Sequence, residues 1–322
     1  MNLSTFNQER IVLIATVLVL IFAAIALPGF LNVNNLISIV RSISVLGILA
    51  LGMGIVIIGR GIDLSMVAVM AMSVAWYLQM LHTGYGETTA LLLVLAAVVF
   101  IGVLNGFLVA YADVPPIFVT LATGLFVFGF VRSQLIPSDA VTVPAGHWLE
   151  TVGAARYAGI PIDVFVFLVL AFVTFVFLRF TKWGRYVYYA GDNPVAARNI
   201  GIPVRPMLVL RYVLSALFSF IAGMLTAASL LSIQTRVINS NLLYDVILVA
   251  VIGGIGLSGG KGGVRNVLIG AALIGILLNV MTIANISLLF QNLIKSTILL
   301  AAIILDGWLN PRDEQTAQQG DI

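Results

Sequence analysis

The stretch TKWGRYVYYAGDNPVAARNIGIPVRP, residues 181–206, is a polar break in a chain that is otherwise almost entirely apolar. It contains four basic residues, with Arg179 just before it, and a single acid, Asp192. Asn193 is a favourable N-cap, and Pro194 suits the first helical position, where no backbone N–H is needed. The stretch therefore predicts a short capped helix that lies between two long apolar runs.

The far end of this helix is also marked, because Ala196, Ala197 and Arg198 favour helix and Gly201 stands where a C′ glycine ends one. Because basic loops of membrane proteins face the cytoplasm, we expect this helix to lie in the cytoplasm. A helix this short is marginal alone, so we expect it to pack against another protein, and we expect Ala197→Asp to prevent that contact. The alternative is an interfacial helix resting on anionic lipid, but the segment lacks the lysine-rich and bulky apolar faces of such anchors.

Composition sets the class of protein. The chain has 322 residues, of which 61% are hydrophobic and 9% charged, whereas soluble domains carry about 25% charged residues. Its mean hydropathy is +1.13. The net charge of +3 is explained by cytoplasmic loops and is not a nucleic-acid signal, and the absence of cysteine excludes disulfides and thiolate metal sites. We therefore expect an all-α, polytopic membrane protein.

Apolar runs long enough to approach or cross a bilayer recur along the chain. The first could instead be a signal peptide, because Ala24-Ile25-Ala26 resembles a cleavage site, but its leader has no net positive charge, which favours a retained span. We predict about ten spans, at residues 11–27, 36–58, 66–81, 88–111, 117–136, 161–180, 207–231, 242–257, 264–283 and 286–308.

Loop charges predict the orientation. With the central loop inside, the inner loops hold Arg60, the central basic cluster, Lys261 and Arg265, and the outer loops hold few basic residues. Both termini are then cytoplasmic. The whole chain, 1–322, is expected to be one transmembrane domain, with a coupling loop at 181–206, an external loop at 137–161 and a disordered polar tail at 311–322.

Two similar glycine-rich segments, 56–65 and 251–260, lie in the two halves of the chain. Interrupted helices of this kind can line a transport path at membrane depth. A plain cytoplasmic turn explains the same glycines equally well, so both interpretations stay open at this stage.

Catalytic motifs are not found. Gly256-Leu257-Ser258-Gly259-Gly260-Lys261-Gly262 imitates a phosphate loop but fails its spacing, because Ile255 stands at the first glycine position and Gly262 at the magnesium-binding Ser/Thr position. His82 and His147 fall in or near predicted loops, where we expect them to be solvated.

Ionisable residues within apolar runs are costly in lipid, at about 2.5–3.5 kcal/mol each at the centre. Asp245 and Lys295 should lie at one depth, about one to two turns below the outer surface at 1.5 Å per residue, so we predict that they form an ion pair. Snorkelling to the nearest interface is the competing interpretation for each of them, and it is the simpler one for Arg41, Arg132, Arg211 and Asp306.

Short motifs recur over most of the chain. They are Gly61-Ile62-Asp63-Leu64-Ser65, Asn105-Gly106, Phe118 with Thr120-Leu121 and Gly124, Gly191 and Asn193 with Ala196-Ala197 and Gly201-Ile202, Asp245 with Gly253-Gly254, Leu257 and Gly259-Gly260-Lys261-Gly262, and Lys295. In this order and spacing they resemble the transmembrane permease subunit of the ribose-type monosaccharide ABC importers. Arg60 departs from the family, which often has glycine there.

The resemblance implies a bacterial inner-membrane permease with no catalytic residue and no metal or cofactor of its own. ATP and magnesium would be bound by a cytoplasmic ATPase partner, a second permease subunit would complete a homo- or heterodimer, and a periplasmic binding protein would deliver a small-molecule solute. Docking to the ATPase falls to Asp192, Asn193, Pro194, Ala196, Ala197, Arg198 and Gly201. The translocation path is assigned to Gly61, Asp63, Ser65, Asn105, Phe118, Thr120, Gly253, Gly254 and Ser258.

The expected function is import of a small polar solute, with a monosaccharide favoured. A nucleoside, a furanose-like signal molecule and a branched-chain amino acid are the alternatives within the same class of transporter. An ion-coupled secondary transporter is disfavoured, because it needs acids near the membrane midplane and the sequence has almost none there.

Overall fold

The computed structural model describes residues 8–309 of the chain. The predicted tail at 311–322 and the side chain of Asp306 lie outside the described residues. Within this range the helices are α1 (Gln8–Ala26), α2 (Val33–Ile58), α3 (Met66–His82), α4 (Glu87–Tyr111), α5 (Pro116–Gln134), α6 (Trp148–Ala154), α7 (Ile162–Phe180), α8 (Lys182–Asp192), α9 (Pro194–Asn199), α10 (Val204–Leu230), α11 (Leu242–Gly253), α12 (Val264–Ile283) and α13 (Leu288–Leu309).

Four short strands accompany the helices. They are β1 (Ala140–Thr142), β2 (Arg156–Tyr157), β3 (Ile160–Pro161) and β4 (Ser232–Gln234), and a 3₁₀ helix follows β4 at Thr235–Asn239. β1 pairs antiparallel with β4, and β2 pairs antiparallel with β3. The strands only join loops, so the predicted all-α class is confirmed for the described residues.

Each of the ten predicted apolar runs overlaps one apolar helix. Among the described residues, seven of these helices are long and apolar enough to cross a membrane, whereas α3, α11 and the searched part of α13, Leu288–Ile304, are shorter. The eighth predicted run, 242–257, was placed too long, because α11 ends at Gly253 and Gly254 has a left-handed φ of 101°. At 1.5 Å per residue, α11 is about 18 Å long and stops short of a full crossing of about 30 Å.

The long helix α10 lies at the centre of the bundle and packs against α2, α3 and α4. Small residues allow its close approach to α4: a Cβ atom added to Gly102 would lie 2.6 Å from Val213 Cα, and one added to Gly106 would lie 2.4 Å from Val209 Cα. Helices in membranes pack through small residues in this way. The result is a dense core that fixes the ends of the surrounding helices.

Contacts between helix connections group them at two ends of the bundle. At one end β1 pairs with β4, and the His82 side chain contacts the Thr142 carbonyl, so the third, fifth and seventh connections meet there. At the other end the Gly260 N–H donates to the Ile58 carbonyl, 2.7 Å away, so the second and eighth connections meet there. We call the first the outer end and the second the inner end, after the orientation that the loop charges predict.

Two of the predicted loop regions contain regular structure that the sequence analysis did not predict. The region 137–161 contains helix α6 and strand residues as well as irregular chain, because His147 caps α6 and β1 pairs with a distant strand. The central stretch contains two helices, since α8 precedes the predicted short helix and is capped by the Thr181 hydroxyl.

Candidate functional site

The connection between α2 and α3 is organised by the buried carboxylate of Asp63. Its Oδ1 atom accepts hydrogen bonds from the Ser65 backbone N–H at 3.0 Å and the Ser65 hydroxyl at 2.5 Å. Its Oδ2 atom accepts from the Ser215 hydroxyl of α10 at 2.7 Å. A buried carboxylate needs such donors, so the start of α3 is fixed to α10.

Residues of α4 and α5 complete this polar network. The Asn105 amide donates to Ser65 Oγ at 2.9 Å, and the Leu64 N–H donates to Thr120 Oγ1 at 3.0 Å. Asn105 Oδ1 is buried with no hydrogen-bond partner among the described residues. Of the predicted path residues, Phe118 stands apart, because its side chain is 66% exposed on α5.

Arg211 of α10 does not snorkel to an interface, contrary to the simpler sequence interpretation. Its side chain is buried, and its guanidinium donates to the Gly59 carbonyl at the end of α2. A Cβ atom on Gly59 would overlap that guanidinium, so glycine is needed there to admit the charged group. The contact places a cation beside the first glycine break.

The second glycine break follows α11. A Cβ atom on Gly253 would lie 2.2 Å from the Asn266 carbonyl oxygen, and the Asn266 side chain donates to the Gly253 carbonyl at 2.7 Å. Gly254 then turns the chain with its positive φ. The break is thereby held against the first turn of α12, with Ser258 further along the same connection.

The short helix α9 forms as its sequence predicts. Asn193 Oδ1 accepts a hydrogen bond from the Ala196 N–H at 2.9 Å, and Gly201 has a φ of 81° after the helix end. Ala197, however, is only 2% exposed and packs in a small apolar cluster with Ala190 and neighbouring residues of this chain. Ala197→Asp would therefore disturb the chain's own packing, so that variant does not isolate a contact with a partner protein.

Asp245 and Lys295 lie together at the outer end, between α11 and α13. The Lys295 Nζ atom is 2.8 Å from Asp245 Oδ1 and 3.1 Å from Asp245 Oδ2, and both residues are buried. A cleft of about 110 Å³ adjoins them, and its lining includes Asn241, Tyr244 and Asn292. The contribution of the pair to stability stays a prediction.

Arg41 and Arg132 also have partners that the sequence interpretation missed. Arg41 Nε is 3.2 Å from Asp163 Oδ2, and the Asp163 side chain is 1% exposed. Arg132 donates to Asp139 Oδ1 at 2.6 Å. The sequence did contain a signal for the Arg41 contact. Asp163 is an acid in the first turn of the apolar helix α7, and such an acid is a candidate partner for a cation in another apolar run.

His147 is partly buried, so the expectation that it is solvated is wrong. Its ring lies edge-on to Tyr77, and its Nδ1 atom accepts from the Leu149 N–H at 3.3 Å. Burial lowers the pKa of His147 below the usual 6.5, against the opposing charges of Glu87 and Glu150. Among the described residues no group of three or more His, Cys, Asp or Glu side chains could hold a metal ion.

The fold and this set of buried polar contacts at helix breaks define a multi-pass helical membrane permease. Residues 35–305 match the family described as branched-chain amino acid transport system / permease component, and the chain belongs to that family. The resemblance found in the sequence is thus confirmed at the level of the family.

Curated relatives are similar over almost the whole chain. The ribose import permease protein RbsC of Haemophilus influenzae is 30% identical over 97% of this chain and 97% of its own. RbsC of Bacillus subtilis is 32% identical over 90% and 89%, and the L-arabinose transport system permease protein AraH of Escherichia coli is 30% identical over 94% and 93%. No solved structure matches the chain.

Proposed function

We propose that this chain is the membrane-spanning subunit of an ATP-driven importer for a monosaccharide. The observation that carries the proposal is the similarity, over more than nine-tenths of both chains, to permeases named for ribose and L-arabinose. The family description names a branched-chain amino acid system, so an amino acid is the competing solute. Nucleosides and furanose-like signal molecules remain alternatives within the same mechanism.

The experiment is uptake of radiolabelled ribose, arabinose and leucine into vesicles that contain the permease, its ATPase partner and its binding protein. ATP-dependent uptake of either sugar, competed by the unlabelled sugar, supports the proposal. Uptake of leucine alone would assign the chain to the amino-acid branch of the family, and uptake without ATP but with an ion gradient would reject the ATP-driven mechanism.

We place the permease in the bacterial inner membrane with both termini in the cytoplasm. The support is the basic loop at 181–206, which by the positive-inside rule lies inside, and its position at the same end of the bundle as Arg60 and Ser258. Reporter fusions test it. A fusion after Arg198 is expected to be active only as a cytoplasmic reporter, and a fusion after Ala154 only as a periplasmic one.

We assign α9 as the element that docks on the ATPase, where ATP and magnesium would bind. Two apolar side chains at α9 are exposed, Val195 at 44% and Ile200, which follows the helix, at 74%, and a partner protein docked on α9 would cover both. Ile200→Asp should leave the permease inserted and folded, because the side chain lies outside the core, and it should prevent co-purification of the ATPase.

Tyr157 offers a matched control, because it is also 74% exposed but lies in β2 at the outer end. Tyr157→Asp makes the same change from apolar to charged and should leave the complex intact. An intact complex with Ile200→Asp would contradict the docking assignment, even if transport itself were impaired.

We further propose that the two glycine breaks flank the translocation path. The support is the concentration of buried polar side chains just after Gly61 at the first break, where Asp63, Ser65 and Asn105 are hydrogen-bonded in series and Thr120 contacts the Ile62 carbonyl. Gly253, Gly254 and Ser258 form the second break, and Phe118 lies on the exposed face of α5, which a second permease subunit or membrane lipid would cover. ATP binding would then rock these segments to release solute inward.

A further inference from the structure

Three segments that are far apart in the chain meet at one point beside α9. They are residues 58–61 at the end of α2, residues 188–192 at the end of α8, and residues 258–262 of the second glycine break. We call this meeting point the inner junction. The Gly260 N–H donates to the Ile58 carbonyl at 2.7 Å, and the Tyr188 hydroxyl donates to the Gly262 carbonyl at 2.9 Å.

Glycines at the inner junction bring the three backbones into direct contact. A Cβ atom on Gly191 would lie 1.9 Å from the Ile58 carbonyl oxygen and 2.8 Å from the Gly260 nitrogen. One on Gly260 would lie 2.8 Å from Asp192 Cβ. Because the backbones touch, the end of α8 cannot shift without pressing on both glycine breaks.

Arg60 joins the same three segments through its side chain. The Arg60 backbone belongs to the first break, its Nε atom donates to the Ser258 carbonyl at 2.7 Å, and its Nη2 atom donates to the Asp192 carbonyl at 2.9 Å. A guanidinium is suited to this contact, since its donors form a rigid planar fork. The next residue after Asp192 is Asn193, the N-cap of α9.

Neither packing nor backbone geometry accounts for arginine at this position. Residue 60 is exposed, so the side chain does not fill the core. Its φ is 62°, a left-handed conformation that glycine adopts without strain and arginine does not. The chain therefore carries a conformational cost at Arg60, and the two carbonyl contacts are among the interactions that the side chain supplies in return.

We propose that Arg60 is a positioning residue that transmits the movement of α8 and α9 to both glycine breaks. A displacement of α9 would move the Asp192 carbonyl and, with it, the Arg60 guanidinium that is hydrogen-bonded to that carbonyl. The movement would reach the first break through the Arg60 backbone and the second break through the hydrogen bond to the Ser258 carbonyl. The proposal rests on the assignment of α9 as the docking element for the ATPase. It adds a route by which docking reaches the transport path in this chain, one that family members with glycine at this position do not have.

The test is Arg60→Gly in the complex of permease, ATPase and binding protein. Glycine keeps the left-handed backbone and removes both carbonyl contacts. We expect the complex to assemble and to hydrolyse ATP, measured as released phosphate, while uptake of radiolabelled ribose or arabinose, whichever the wild type imports, falls. The ratio of solute imported to ATP hydrolysed should drop by about fivefold or more, the range of a typical coupling between sites.

Two further variants make the result specific. Arg60→Lys keeps the charge but loses the planar fork, so its ratio should lie between those of the wild type and Arg60→Gly. Asp113→Gly is the matched control: Asp113 also has a positive φ, 51°, in the connection between α4 and α5, at the same end of the bundle. It should leave the ratio unchanged.

An unchanged ratio in Arg60→Gly would overturn the proposal. Loss of the assembled complex in Arg60→Gly would also overturn it, because Arg60 would then hold the structure together and not transmit movement. The docking assignment is tested by a different measurement, and it would be contradicted if the ATPase still co-purified with the Ile200→Asp variant.

Discussion

Replacing both members of the Asp245–Lys295 pair should cost less stability than the two single replacements added together. The perturbation is the set Asp245→Asn, Lys295→Met and the double variant. Each single change leaves one charged group buried without the partner that lies 2.8 Å away in the native chain. The double change removes both charges from an apolar environment.

The structure sets the size of the effect. Two unit charges 2.8 Å apart attract by about 6 kcal/mol at an effective dielectric constant of about 20, and the desolvation of both groups offsets much of this. Loss of one partner of a buried pair costs about 3–5 kcal/mol. The adjoining cleft of about 110 Å³ is large enough to hold water, which would weaken the penalty, so we expect about 3 kcal/mol for each single variant.

The free energy of unfolding would be measured by equilibrium denaturation of the purified permease in mixed detergent micelles. Additive losses would give about 6 kcal/mol for the double variant, and we expect about 3 kcal/mol or less, a coupling within the range seen for contacting residues. Arg236→Met is the control, because its contact with Asp139 is an exposed ion pair, so its loss should change the free energy of unfolding little. Strictly additive losses would refute the buried pair.

Three further predictions follow from other contacts. Gly106→Ala should lower the free energy of unfolding by about 1–3 kcal/mol, because its Cβ meets the α10 backbone, whereas Gly129→Ala, with open space around it, should have little effect in the same assay. Asp163→Asn should lower the thermal midpoint because it leaves Arg41 without its carboxylate, and Arg41→Met should restore part of the loss. The hydrogen-exchange protection of α6 should decrease as the pH falls below 6.5, because the lowered pKa of His147 means that the unfolded state binds more protons than the folded state. Exchange measured at about pH 7.5 and about pH 5.5 tests this, and His147→Gln should abolish the difference in protection between the two pH values.

The sequence interpretation succeeded where the signal is local. The ten apolar runs are read from length and composition, and each overlaps one apolar helix of the bundle. The caps of α9 depend on residues within one turn of each other, so Asn193 and Gly201 could be recognised directly. The depth of Asp245 and Lys295 follows from helix rise alone, which is why their closeness could be expected before their contact was known.

The tertiary structure decided where distant residues meet. Arg211 looked like a snorkelling cation because its acceptor, the Gly59 carbonyl, lies 152 residues away and is a backbone atom that no residue type announces. Ala197 looked like a docking residue, but its burial depends on how α8 and α10 flank α9.

By itself, then, the sequence determined the class of protein, the helices and their caps, because hydropathy and capping act over one or two turns. Only the tertiary structure decided that Arg211 contacts the Gly59 carbonyl and that Arg60 bridges Asp192 and Ser258. Such contacts depend on the packing of whole helices, and their energy is gained only when segments far apart in the chain are brought together.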